Sequence, residues 1–154
     1  MTRCPQCGAE GSQEICDELF ERLLALDHSR QPPWGPLHGV AVACYFLQHP
    51  RHPLAPGEPT ASLALLHAYL DGGQPAVDAF VAQARRRNSH RYRGSDDRPA
   101  PQIVNSAMAA RPAPRVFVTT IVDVAVDGGF PAPVYPDLVR SWAEATTAGW
   151  KPVS

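Results

Sequence analysis

The first regular pattern along the chain begins after residue 12. Ile15, Leu19, Leu23 and Leu26, joined by Phe20, recur at three- and four-residue steps, the spacing of one helix face. Glu14, Asp17, Glu18 and Glu21 gather near its start, where the helix dipole favours acids. The spacing therefore predicts a first helix over 13–27. The stretch HSRQPPWGP, 28–36, cannot extend it, because its three prolines remove donors and impose extended backbone. PLHGVAVACYFLQH, 36–49, is apolar almost all round and predicts a second, buried central helix. Pro50, Pro53, Pro56 and Pro59 end that helix and hold an extended connector.

Thr60 is a candidate N-cap for a third helix, ASLALLHAYLD, which stops at Gly72-Gly73. Pro75 opens a fourth, AVDAFVAQARRR, with Val77, Phe80, Val81 and Ala84 along one side, so a helical hairpin is expected. Residues 88–101 carry Gly, Ser, Asp and Pro without an apolar period and are expected to form a mobile loop. A short helix is expected over 102–110. In RVFVTTIVDVAV, 115–126, β-branched residues favour a strand, whereas Thr120 and Asp123 can form a capping box. Helix is preferred there, since a lone strand has nothing to pair with. Pro136 opens a final amphipathic helix with Leu138, Val139, Trp142 and Ala145 inward. The fold class is mainly α: a compact helical bundle with an N-terminal zinc knuckle docked on a helix hairpin.

Composition adds bounds. The 154 residues, 44% hydrophobic and 19% charged, suit one domain with a real core. It divides into a metal knuckle (1–16), a helical core (17–87), the loop (88–101) and a C-terminal helical part (102–154). No apolar run reaches 18 residues and no apolar leader follows Met1, so a cytoplasmic protein without a membrane span is expected. The net charge of −1 supplies no global field toward nucleic acid or anionic lipid. Lys151 is the only lysine, an arginine bias of the kind GC-rich bacterial genes produce.

Four cysteines in a reducing compartment read as metal ligands or free thiols rather than disulfides. Cys4-Pro5-Gln6-Cys7-Gly8 is a tight turn presenting two thiolates on one side, with Gly8 supplying permissive backbone. Cys16 follows after a short polar segment that can loop a third thiolate onto the same ion. A redox pair would need the strand and helix of a thioredoxin-like unit around it, and neither flanks this one. The cofactor expected is Zn2+.

The order CPxCG, a third Cys at the head of the first helix, Leu37-His38, then Tyr45-x-Leu47-Gln48-His49-Pro50 resembles a family of small, uncharacterised bacterial proteins, actinobacterial in type, named for a domain of unknown function. The tail is similar through Val122-Asp123-Val124-Ala125 and Val139-Arg140-Ser141-Trp142-Ala143. The resemblance is specific over residues 4–50 and thin over 54–115. It implies the layout and the metal, and brings no reaction with it.

Geometry nominates the fourth ligand. If the first two helices are antiparallel, Cys16 lies level with residues 47–50, which selects His49. His38 stands eleven residues earlier, roughly 16 Å away at the helical rise, and His52, just beyond the helix, is the nearest substitute. Cys44 would require the helix to rotate. The expected shell is thus Cys4, Cys7, Cys16 and His49, a closed structural site in a binding or accessory domain. Its partner would be a small molecule or a protein, with the oligomeric state left open.

The alternative is a small biosynthetic metalloenzyme. His38 and Tyr45 share a nominal helix face, and His67 sits among Leu63, Leu66 and Leu70, so these three are candidate catalytic residues lining a pocket between helices two and three. Hydrogen-bonded core residues would read the same way. Arg85, Arg86, Arg87, Arg91 and Arg93 around Tyr92 form a basic block, but Asp96 and Asp97 follow it, and nucleic acid is not the expected partner.

Overall fold

The structure is a computed structural model that describes residues 2–94 and 117–150, the side chains of 87–94 excepted. It is mainly helical. In chain order it forms α1 (Gln13–His28), α2 (His38–Gln48), α3 (Thr60–Gly94), α4 (Ile121–Val124) and α5 (Tyr135–Trp150). The expectation for 102–110 lies outside the described residues.

Helix α1 turns Cys16, Leu19, Phe20, Leu23 and Asp27 inward, close to the face its spacing predicts. Ile15 is the exception. It is exposed and lies over Gly11, where a Cβ would come within 2.7 Å of its Cδ1. Helix α2 buries Val40, Ala41, Ala43, Cys44, Tyr45, Leu47 and Gln48, nearly its whole circumference, because it is packed by α1, α3 and α5 together. The two helices run antiparallel: Tyr45 pairs with Asp17 at one end, and His38 pairs with Asp27 at the other.

The expected third and fourth helices are both present, joined end to end across a kink at Gly73 and numbered together as α3. Gly73 adopts φ 70°, ψ −159° inside it, a region that is essentially glycine's alone, and Pro75 follows immediately. Leu63, Leu65, Leu66, Tyr69 and Val77 reach the core from either side of the kink. The helix also runs on to Gly94, so residues 88–94 are helical where a loop was expected. Residues 95–101 lie outside the described residues.

The ambiguous segment resolves as its capping box requires. Thr120 accepts from Val122 N at 3.2 Å, and Asp123 Oδ2 accepts from Thr120 N at 2.9 Å, closing the single turn α4. Helix α5 covers the bundle with Tyr135, Val139, Trp142, Ala143 and Thr146 buried. Long-range bonds fasten it. Gln48 Nε2 donates to Thr146 Oγ1 and to Thr119 O, both at 2.9 Å, and Trp150 Nε1 donates to Leu47 O at 2.8 Å.

Two glycines separate backbone demand from mere exposure. Gly73→Ala should lower unfolding stability in urea by about 1–3 kcal/mol, since no Cβ is accommodated at its dihedrals without strain. Gly57→Ala, where a Cβ would meet nothing within 4 Å, should change it by no more than about 0.5 kcal/mol.

Candidate metal centre

The N-terminal turn is built by its own backbone. Cys4 N donates to Ala9 O at 2.8 Å, Gly8 N donates to Cys4 O at 2.9 Å, and Gly11 N donates to Thr2 O at 3.0 Å. Gly8 takes φ 84°, the left-handed conformation its place after the second cysteine calls for. Arg3 closes the turn from outside by donating to Gly8 O at 2.7 Å. Three contacts then dock it on the rest of the chain. Gln6 Oε1 accepts from Arg51 N at 2.7 Å, Cys7 O accepts from Phe117 N at 3.2 Å, and the Phe117 ring fills the space left open by Gly149, where a Cβ would be 2.3 Å away.

The docked turn meets α1 and α2 at one point. Cys4, Cys7, Cys16 and His49 place their ligand-capable atoms within 4.8 Å of one another, with Cys4 2% exposed and the other three 0%. Cys16 comes from the first turn of α1 and His49 caps the C-terminus of α2. This cluster is able to hold a metal ion.

Its electrostatics favour negative sulfur. A hydrogen bond from the Cys16 thiol, the two sulfurs lying 3.8 Å apart, is the largest influence on Cys7 and helps bring its pKa down to about 4. The Cys16 thiol that donates it is raised in turn. Burial opposes ionisation of Cys4, but His49 and the backbone N–H groups of Cys7 and Gln6 hold it below its ordinary value. Burial alone would lower His49, yet the adjoining Cys4 and Cys7 sulfurs lift it to about 9.

The tautomer of His49 is set from behind. Its Nδ1 donates to Tyr45 O at 2.9 Å, which leaves Nε2 facing the sulfurs, buried and without a hydrogen-bond partner. A polar atom so placed fits coordination to a cation, with the backbone carbonyl orienting the ring. The ring is also clamped. Tyr45 stacks on His49 with centroids 4.1 Å apart and on Phe20 at 3.9 Å, forming a three-ring column.

Other residues singled out in the sequence take different roles. Cys44 is fully buried away from the cluster, its thiol pushed up by burial despite a hydrogen bond with Thr146. His52 meets the edges of Phe20 and Tyr45 and accepts from Leu54 N at 3.0 Å, outside the cluster. His38, Tyr45 and His67 are placed in three different surroundings. His38 pairs with Asp27 at the far end of α2, Tyr45 is enclosed by its stacking partners and bonded to Asp17, and His67 is exposed on α3. Trp142 is wholly buried and lines neither of the cavities described below. The bonding partners of Asp17, Asp27, Gln6 and Gln48 were not foreseen from the sequence, although the antiparallel pairing that selects His49 also brings Asp27 level with His38.

A model of one protein family covers residues 2–151. The chain belongs to DUF5946, a family of unknown function. No curated protein and no solved structure matches it. Within this DUF5946 chain, no helix of the described residues is long and apolar enough to cross a membrane.

Tyr45→Phe separates the stack from the hydrogen bond. It should keep the ring column and the metal content while lowering unfolding stability by about 1 kcal/mol, the contribution of the bond to Asp17. Urea titration and elemental analysis of the same sample check both.

Proposed function

We propose that Cys4, Cys7, Cys16 and His49 bind one Zn2+ as a closed structural site, and that this DUF5946 protein works as a metal-stapled binding or accessory domain. The observation that carries the reading is the enclosure of all four ligand atoms within 4.8 Å of one another among buried residues. A closed shell with four protein ligands suits a structural ion, whereas a catalytic one keeps a position for water. Three thiolates and one imidazole suit zinc, borderline-soft and tetrahedral. Bound there, the ion would neutralise the sulfurs and join the N-terminal turn, the start of α1 and the end of α2. The turn has little apolar surface to anchor it otherwise, so much of the binding free energy becomes folding free energy. The partner served by such a scaffold would be a small molecule or another protein.

Purified protein should contain one zinc per chain by elemental analysis, with X-ray absorption giving a shell of three sulfurs and one nitrogen at roughly 2.0–2.3 Å. Cys7→Ser should lose the metal and lower the melting temperature by about 10 °C or more, because about 1 kcal/mol corresponds to 2–4 °C at this chain length. Cys44→Ala should retain stoichiometric zinc. A fully stable, metal-free wild type would overturn the reading.

A further inference from the structure

The opposite end of the α1–α2 pair carries a second constellation. A cavity of about 470 Å³ is lined by Asp27, His28, Arg30, Gly35, Pro36 and His38, within the size range of small-molecule sites. A second cavity, about 360 Å³ between the N-terminal turn and α4, is lined by groups already committed to one another, Arg3 to Gly8 and Thr120 to Asp123.

Burial and charge are distributed unevenly in the first cavity. The Asp27 side chain is 2% exposed and that of His38 is 49% exposed, so the pair reaches from the interior to the surface. Asp27 Oδ2 bonds His38 Nδ1 at 2.7 Å, and Asp27 Oδ1 is buried without a partner. With Nδ1 engaged, Nε2 is the ring's remaining hydrogen-bonding atom, as in histidines oriented by a carboxylate for recognition or proton transfer. Burial keeps the Asp27 pKa above its ordinary value although His38 and His28 act against it. The carboxylate is short of compensating charge, and a ring fixed against it is well held.

The rest of the lining is cationic or neutral. Asp27 is the only acid among its described lining residues. Arg30 makes no ion pair among the described residues, and the loop that bears it is tightly set. Arg30 sits at φ 60°, Gly35 N donates to Gln31 O at 2.8 Å, and a Cβ at Gly35 would come within 2.8 Å of the Arg30 carbonyl carbon. The last carbonyls of α1 are occupied, Leu26 O by Ser29 and Asp27 O by Arg30, while α2 begins at His38 with no side chain capping its positive end. Arg30 and the His38 ring edge lining one cavity beside the start of α2 offer a donor set that suits an oxyanion.

We propose that this cavity binds a small molecule through a phosphate or carboxylate group, held by Arg30 and His38, with Asp27 as the positioning residue that fixes the His38 ring. The site is independent of the metal centre and stands or falls separately from it.

The test follows the His38 ring signals by NMR in the full chain as purified, titrated with inorganic phosphate and, separately, with acetate at constant pH and ionic strength. At least one anion should move the His38 signals saturably while those of His52 stay still. Saturation with phosphate alone assigns a phosphorylated ligand, and with acetate alone a carboxylate. Arg30→Gln, a surface change that spares the core, should weaken the binding at least about tenfold, the loss expected for a charge-assisted bond. Asp27→Asn should alter the ring-nitrogen tautomer signature of His38 and weaken the same anion. Movement that never saturates, or that survives unchanged in Arg30→Gln, overturns the site. An unaltered His38 signature in Asp27→Asn overturns the positioning role.

Discussion

Three sulfurs and an imidazole nitrogen occupy one dry point of this molecule, and negative charge held there without compensation is among the most expensive arrangements a small protein can contain. Every nearby element is arranged to moderate that cost. The start of α1 points its positive end toward Cys16, backbone N–H groups of the N-terminal turn face Cys4 and Cys7, and His49 stands with an unsatisfied nitrogen beside both. The four groups so gathered are able to hold a metal ion, and the course of the first fifty residues is what brings them together. Were the sulfurs in water, neither the enclosing turn nor the C-terminal imidazole of α2 would be needed.

The ring column of Phe20, Tyr45 and His49 turns that local requirement into helix register. Stacking fixes how far α1 can slide along α2, and the Tyr45 bond to Asp17 removes the remaining freedom. Because the register is set at one end, the other end is set too, and Asp27 meets His38 there. One antiparallel pair therefore presents two unlike environments: soft, closed and sulfur-rich at one end, open and lined by oxygen and nitrogen groups of both signs at the other.

Much of this was legible in the sequence. The apolar periods located α1, α2 and α5 to within two residues, and antiparallel geometry alone chose His49 over His38 and His52 for the cluster. What escaped depends on facts that periodicity does not encode. A seven-residue step placed His38 and Tyr45 on one face, but Phe20 closes over the ring of Tyr45, whereas His38 sits half-exposed beside the last turn of α1, so shared angle did not mean shared surroundings. His67 was grouped with neighbouring leucines, yet the buried side of α3 runs through Leu63, Leu66 and Tyr69 and leaves it outside. The break at Gly72-Gly73, by contrast, was legible, because two glycines commonly end a helix and Pro75 can open the next. Only Gly73 leaves helical geometry, and the chain resumes the helix directly. Asp27 was hidden because its partner lies across a proline-rich link whose path the sequence does not specify.

The bonds at the end of α2 also carry an order in time. Gln48 and Leu47, close neighbours of His49 in the chain, find partners in Thr119, Thr146 and Trp150, 71 to 103 residues downstream. During synthesis the cysteine turn and the first two helices leave the ribosome long before α5 does. Over that interval the neighbours of His49 are exposed and the sulfurs are open to solvent. At about 5–20 residues per second, the nascent chain spends several seconds in this unsealed form. The thiols are open to oxidation in that window, and the C-terminal helix ends it for the residues beside His49 by closing over Leu47 and Gln48.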